Sequence, residues 1–79
     1  MEVTLKLYGI LKRYIYDYGQ KNKLNLKLDN FRSIKQIFKE KNIPTKEVSF
    51  LLVGSKTVNF DYQVKNGDVI EAFPRMAGG

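Results

Sequence analysis

The 79-residue chain contains no cysteine, no histidine and no tryptophan. These absences exclude thiol nucleophiles, disulfide bonds, thiolate or imidazole metal ligands and imidazole bases. Carboxylates remain, but no two of them have a spacing typical of an acid/base pair, and the glycines form no phosphate-binding loop. We therefore expect a chain that binds no metal or cofactor itself and does not act as an enzyme alone.

Long apolar runs are also missing from the sequence. A membrane-spanning helix needs about 20 predominantly apolar residues, and the longest apolar runs here are only a few residues long. The chain begins Met1-Glu2-Val3 and soon alternates polar with apolar residues, unlike a signal peptide. A fold without disulfides fits a reducing compartment. We expect a cytoplasmic protein with no membrane partner.

The chain is strongly basic. It has 14 Lys and Arg residues against 8 Asp and Glu residues, for a net charge of +6. Such a balance attracts nucleic acid, acidic partners or anionic surfaces. The lysines are dispersed from Lys6 to Lys65 and never form a block. This dispersal favours a solvated basic surface over a functional patch.

Alternation of polar and apolar residues predicts most of the strands. Apolar side chains recur at every second position, the period of a half-buried strand, at Val3, Leu5 and Leu7 and again at Leu24, Leu26 and Leu28. The dense apolar run at 48–53 predicts a buried strand, which a turn at 54–56 joins to a short strand near Thr57 and Val58. A second turn, at 66–68, precedes a last strand at 69–73.

Two helices are predicted between these strands. The first has apolar residues at helical spacing and a stop at Gly19; its apolar stripe is Ile10, Leu11, Tyr14, Ile15 and Tyr18. The second opens with the capping-box spacing of Ser33 and Gln36 and ends at Asn42 and Pro44. Helices on one face of a mixed sheet make an α+β domain. We assign it to residues 1–79.

The strand phases also predict which aromatic rings face outward. If Val3, Leu5 and Leu7 face the core, Tyr8 points outward. In the last strand, Glu71 shares a phase with Phe73, and an unpaired buried carboxylate is costly. We therefore expect Phe73 to face outward, as part of a docking patch beside the chain end; packing under a loop is the alternative.

The segment after Phe73 carries the most distinctive chemistry. Proline disfavours continued sheet pairing, so we expect residues 73–79 to form an extended tail, mobile from Pro74 and reaching roughly 20 Å. Gly78 and Gly79 lack Cβ atoms, which lets the backbone enter a narrow channel and present an unhindered carboxylate. Adenylation would activate this carboxylate for attack by a sulfur donor. A frayed terminus is the alternative interpretation.

Several short segments at characteristic positions are the basis of a resemblance to a known family. They are Ile43-Pro44, Glu47-Val48, Leu52-Val53, Asn59-Phe60-Asp61, Asn66-Gly67-Asp68, Phe73-Pro74 and Ala77-Gly78-Gly79. With them the whole chain resembles the MoaD/ThiS family of sulfur-carrier proteins, which have the ubiquitin-like β-grasp fold. Phe73-Pro74 and the segment Leu7-Tyr8-Gly9-Ile10-Leu11-Lys12-Arg13 are more similar to the MoaD branch.

The resemblance implies a mechanism and its partners. A ubiquitin-activating-type enzyme, which itself binds the ATP, would adenylate Gly79, and a sulfurtransferase or persulfide would convert Gly79 to a thiocarboxylate. In the MoaD branch the tail then enters the large subunit of molybdopterin synthase and gives sulfur to the precursor of the molybdenum or tungsten cofactor. The expected partner-binding residues are Tyr8, Phe60, Phe73, Pro74, Arg75, Met76, Ala77 and Gly78.

Departures from the family leave alternatives open. Arg75-Met76 replaces the Pro-Val pair common in MoaD tails, and the charge of +6 contrasts with many acidic relatives. The alternatives are sulfur transfer to the thiazole of thiamine, as in the ThiS branch, and conjugation to lysines as a ubiquitin-like modifier. A third is an RNA-binding β-grasp module, for which the mixed basic and aromatic stretch 12–23 is typical; we expect its tyrosines to pack inward instead.

Overall fold

The computed structural model describes residues 1–18 and 22–75. Its elements, in chain order, are β1 (Glu2–Leu7), a first 3₁₀ helix (Gly9–Tyr18), β2 (Lys23–Lys27), α1 (Ile34–Glu40), a second 3₁₀ helix (Thr45–Glu47), β3 (Val48–Val53), β4 (Lys56–Val58) and β5 (Val69–Pro74). The predicted α+β class is confirmed.

The strands form one mixed sheet in the order β2-β1-β5-β3-β4. β1 pairs in parallel with β5, and the other neighbouring pairs are antiparallel. β1 and β5, the first and last strands of the described residues, are therefore neighbours in the middle of the sheet. Both the segment after β1 and the segment after β5 leave from the same end of the sheet, because parallel strands run in one direction.

The core lies between one face of the sheet, α1 and the first 3₁₀ helix. The predicted strand phases are confirmed, because Val3, Leu5 and Leu7 are buried, as are Leu24 and Leu26. Helical side chains complete the cluster, namely Leu11, Ile15, Ile34, Ile37 and Phe38. Burial of each such side chain contributes about 1.5–3 kcal/mol. The opposite face of the sheet, called the open face below, has no helix over it among the described residues.

The capping box predicted for α1 is confirmed. The amide of Gln36 donates to the Ser33 hydroxyl (3.2 Å), and the amide of Ser33 donates to the Gln36 side chain (2.8 Å). These two bonds satisfy amides that a helix start leaves without intrahelical partners. α1 ends at Glu40, and Asn42 adopts a left-handed conformation with φ 58° just beyond it.

Both predicted turns are present. Gly54 and Ser55 have φ of 58° and 71°, and they connect β3 to β4 as an antiparallel hairpin. Two successive positive φ angles match the right-handed twist of the flanking strands. Gly67 has a positive φ of 88° in the turn before β5.

The first helix differs from its prediction. It is a 3₁₀ helix that begins at Gly9, and Ile10, predicted to lie on its buried stripe, is 57% exposed. With three residues per turn, side chains three apart align, so Ile10 shares a side with the exposed Arg13. Leu11 and Ile15 are buried as predicted, whereas Tyr18 is among the residues whose side chains are not described and Gly19 lies outside the described residues.

The apolar run 48–53 predicts a buried strand, but β3 is only partly buried. Val48, Leu51 and Val53 face the core, but Phe50 is 44% exposed on the open face. The register with β5 shifts between Val48 and Phe50, as in a β-bulge. The extra residue in β3 lets Val48 and Leu51 both reach the core although they lie three positions apart.

β5 continues through Pro74, where the prediction had ended it at Phe73. The Arg75 amide donates to the Glu47 carbonyl on the β3 side (3.1 Å), whereas the Ala72 carbonyl accepts from Tyr8 on the β1 side (3.2 Å). Backbone groups alternate sides along a strand, so the Pro74 nitrogen faces the side on which β1 has already ended. The sheet therefore loses no hydrogen bond through the absence of an N–H at Pro74.

Candidate functional site

Three aromatic rings stack across the open face at the end of the sheet where β5 ends. The ring centroids of Tyr8 and Phe73 lie 4.6 Å apart with planes 8° from parallel, and those of Phe73 and Phe50 lie 4.6 Å apart at 9°. Phe50 and Phe73 are paired in the register of β3 and β5, and Tyr8 follows β1 directly. We call these three residues the aromatic stack.

The outward orientation predicted for Tyr8 and Phe73 is confirmed, and each ring is half-buried. Their ring faces are covered mainly by one another, because ring spacing matches the spacing of adjacent strands. Aromatic pairs of this kind add about 0.5–1.5 kcal/mol to the burial of the rings. The result is an apolar surface of three stacked rings on the open face.

A hydrogen bond fixes one end of the aromatic stack. The Tyr8 hydroxyl donates to the Glu71 carboxylate at 2.5 Å, and Glu71 lies on the same face of β5 as Phe73. This hydrogen bond, with burial and the nearby negative charge, raises the pKa of Tyr8 above its ordinary value of 10.0. The bond helps to hold the Tyr8 ring parallel to Phe73. It also gives a hydrogen-bond partner to the Glu71 carboxylate, which the strand phase places on this face.

The backbone is held in place up to Arg75. Gly9 has φ +57°, and a Cβ atom added to it would lie 2.8 Å from the Cγ of Pro74. Arg75 donates its amide to the Glu47 carbonyl (3.1 Å) and its Nε to the Lys46 carbonyl (2.7 Å). We call Pro74 and Arg75 the tail base, since residues 76–79 follow them in the sequence.

A small polar network borders the tail base. Glu47 accepts from the Tyr14 hydroxyl at 2.6 Å and pairs with Arg13 Nη2 at 3.3 Å. The Arg13 guanidinium also lies 5.0 Å from the centre of the Tyr14 ring and donates to its hydroxyl at 2.9 Å. These contacts raise the pKa of Arg13, chiefly through the hydrogen bond to Tyr14. The network joins the first 3₁₀ helix to the second, whose carbonyls hold Arg75.

The structure brings together some of the predicted site residues and not others. Tyr8, Phe73, Pro74 and Arg75 lie at one end of the sheet. Phe60 does not join them, because its half-buried ring packs edge-on against Phe38 of α1 with centroids 5.3 Å apart, next to the core. Four further predicted residues lie outside the described part of the chain: Met76, Ala77, Gly78 and Gly79.

Sequence reasoning did not identify Phe50, Arg13, Tyr14 or Glu47 as part of this site. For Phe50 a signal existed, since alternation with the buried Leu51 and Val53 places it on the open face. A dense apolar run hides that alternation, because every position in it is equally able to be buried. The Arg13, Tyr14 and Glu47 contacts join segments far apart in the sequence, and no local pattern reports such a meeting.

Two further findings concern the described residues. Within 1–18 and 22–75, no three acidic side chains lie close enough together to hold a metal ion. No helix in the same ranges is long and apolar enough to span a membrane.

Comparison with known proteins places these features in context. The model of the family described as Mut7-C ubiquitin matches residues 1–78. A search of curated proteins returned no significant match. Among solved structures, SAMP1 from Haloferax volcanii is similar with a TM-score of 0.70 and 13% identity over 100% of both chains.

Two further structures have related names. A putative molybdopterin converting factor subunit 1 from Pyrococcus furiosus has a TM-score of 0.66 and 18% identity over 96% of this chain and 99% of that one. A chain from the complex of subunits 1 and 2 of the molybdopterin-converting factor from Helicobacter pylori has a TM-score of 0.61 and 22% identity over 100% of both chains. These likenesses confirm the predicted ubiquitin-like β-grasp fold.

Proposed function

The chain belongs to the Mut7-C ubiquitin family, and from that membership we propose that it is a ubiquitin-like sulfur carrier whose reactive group is the carboxylate of Gly79. The observation that carries the proposal is the position of the tail base. The chain leaves β5 at Pro74 and Arg75, directly beside an exposed aromatic stack. A partner that binds the stack is thereby next to the segment it has to receive.

The proposed sulfur transfer to Gly79 has three steps. A carboxylate oxygen of Gly79 attacks the α-phosphorus of ATP held by an adenylating partner, and pyrophosphate leaves. The persulfide of a sulfurtransferase then attacks the carbonyl carbon of the acyl-adenylate, and AMP leaves. A thiol finally cleaves the resulting acyl disulfide, which leaves a thiocarboxylate on Gly79 and a disulfide between the two thiols. ATP binds the partner in this scheme, and the reaction takes place in the cytoplasm.

This chain contributes the docking surface and the placement of the reactive end. Held up to Arg75, the chain has four residues, 76–79, with which to reach into a partner. Fully extended, these span at most about 14 Å, so the partner's reaction centre has to lie within that distance of the tail base. This is shorter than the reach of roughly 20 Å expected for a tail mobile from Pro74.

For the sulfur acceptor we propose the precursor of molybdopterin, with a large subunit of molybdopterin synthase as the partner. Two solved structures of the same fold carry the name of molybdopterin converting factor, and one of them is a complex of subunits 1 and 2. Thiazole synthesis and conjugation to lysines share the activation step with this route. They differ only in the acceptor. An adduct to lysine side chains would identify conjugation, and the large subunit that co-purifies with the chain would separate the molybdopterin route from thiazole synthesis.

The test is intact-mass measurement of the chain after incubation with an adenylating enzyme, ATP and a persulfide donor. The expected product is heavier by the exchange of one oxygen for sulfur. Deleting Gly79, or adding one residue after it, should abolish this exchange while leaving the circular dichroism spectrum unchanged. A sulfur-bearing product from either variant would contradict the role of Gly79, and an adduct to lysine side chains would favour the modifier instead.

The docking role of the aromatic stack needs its own variant. Phe50→Ser removes one exposed ring of the stack, and Phe31→Ser removes a ring that is 77% exposed outside it. We expect kcat/KM for adenylation to fall about tenfold in Phe50→Ser, because central aromatic contacts dominate interfaces, and to stay unchanged in Phe31→Ser. Equal rates in the two variants would show that the stack is not where the enzyme binds.

A further inference from the structure

The charged side chains around the tail base are unequally exposed. In the pair between Arg13 and Glu47, the arginine side chain is 58% exposed and the glutamate 25%. Lys46 and Arg75, which are joined by the hydrogen bond from Arg75 Nε to the Lys46 carbonyl, are also exposed. The positive groups of this region are therefore exposed to solvent, while the Glu47 carboxylate is largely covered.

The carboxylates near the aromatic stack are engaged by hydroxyl groups. Glu71 accepts from Tyr8, and Glu47 accepts from Tyr14 as well as from Arg13. Both glutamates are only partly exposed, whereas Arg13, Lys46 and Arg75 are exposed. Among these residues, the exposed charged groups around the tail base are therefore positive. We call Arg13, Lys46 and Arg75 the cationic rim.

We propose that the partner which receives the tail presents an apolar recess bordered by carboxylates, matched to the aromatic stack and the cationic rim. This inference rests on the sulfur-carrier proposal and names the surface chemistry of its first partner, the adenylating enzyme. Opposite charges on facing rims increase the rate of productive encounter by 10-fold or more at low salt, by steering the molecules as they approach. An enzyme with a basic surface around the same recess would be repelled.

The experiment compares two double variants that lower the net charge equally. Arg13→Gln with Lys46→Glu alters the cationic rim, whereas Lys35→Gln with Lys65→Glu alters exposed positions on α1 and in the loop before β5. Lys65 belongs to the turn that contacts the start of β1, at the other end of the sheet from Tyr8. Circular dichroism and urea unfolding confirm that both double variants are folded before their rates are compared.

The measured quantity is kcat/KM for pyrophosphate release with the adenylating enzyme encoded in the same genome, at about 50 mM and about 500 mM salt. At low salt the rim variant should be roughly tenfold slower than the unaltered chain, and at high salt within about twofold, because salt screens exposed charges. The control variant should change by less than about twofold at either salt concentration.

The outcomes separate this inference from the function on which it rests. If the unaltered chain is adenylated and both double variants slow equally, or the rim variant reacts faster, the carboxylate-bordered partner is refuted and the carrier stands. A rim defect that persists at high salt would also refute it, since a local contact would then explain the loss. If the unaltered chain is never adenylated, the carrier proposal and this inference fail together.

Discussion

At the scale of single residues, Gly9 is a position where both the backbone conformation and a close contact disfavour a side chain. Its φ of +57° disfavours any side chain, and the Pro74 ring occupies the space in which a Cβ would lie. The residue therefore allows the segment after β1 to pass closely over the end of β5. Gly54 has almost the same φ, +58°, with nothing within 4 Å of its virtual Cβ, and so offers a matched comparison.

Gly9→Ala should lower the free energy of unfolding by more than Gly54→Ala. A left-handed alanine costs roughly 1–2 kcal/mol, and the clash with Pro74 adds about 1–3 kcal/mol at Gly9 alone. Urea unfolding of the two variants measures the difference. Replacing Pro74 by alanine in the Gly9→Ala chain should recover part of the loss, and equal costs for the two glycines would mean that the ring does not press on Gly9.

Residue patterns in the sequence predict the outward phase of Tyr8 and Phe73 because a strand has a strict period of two. They do not predict that Phe50 completes the stack. In the run 48–53 the alternation is hidden, and the register shift near Val48 changes which residues share a face. The partner of a ring on a neighbouring strand depends on register, which is a property of two strands together.

At the scale of elements, α1 depends on its first turn because it is only seven residues long. Ser33→Ala removes the hydroxyl that accepts from the Gln36 amide. We expect a loss of about 1 kcal/mol in the free energy of unfolding. Ser49→Ala, which alters an exposed serine of β3, is the control and should stay within about 0.5 kcal/mol; a Ser33 variant as stable as this control would contradict the capping role.

The elements themselves were largely predictable, and their details were not. Alternation located β1 and β2, and Ser33 with Gln36 located the start of α1. The sequence does not predict the 3₁₀ form of Gly9–Tyr18, because apolar residues four apart, such as Leu11 and Ile15, have the spacing of an α-helix rather than of a helix with three residues per turn. The sequence does not predict that β5 continues through Pro74. The cost of a proline in a strand depends on whether its nitrogen faces a paired neighbouring strand, and the sequence does not show that β1 has already ended there.

At the scale of the whole molecule, tyrosine hydroxyls that donate to carboxylates fix one contact between distant segments and one contact within a loop. Tyr8 bonds to Glu71, and Tyr62 bonds to Asp68 at 2.8 Å. In both tyrosines the hydrogen bond to the carboxylate raises the pKa above the ordinary 10.0, with smaller contributions from burial and charge. A raised pKa in the folded state means that folding favours the protonated hydroxyl.

The fold should therefore lose stability in alkali. The contribution of these tyrosines is fully present below pH 10, the ordinary pKa, and is lost as the pH rises through the raised values of the folded state. Urea unfolding across this range should show a decline that is smaller in a Tyr8→Phe, Tyr62→Phe double variant. An identical decline in both proteins would show that other groups cause it.

The pairing of β1 with β5 has a consequence for how the molecule is made. A ribosome releases β1 first and β5 last among the strands, yet these two lie side by side in the middle of the sheet. A nascent chain that ends before Val69 has no strand to fill the gap between β1 and β3, whatever else it has formed. Folding of the sheet is therefore completed only after synthesis has passed Phe73, so a half-made chain lacks the assembled aromatic stack.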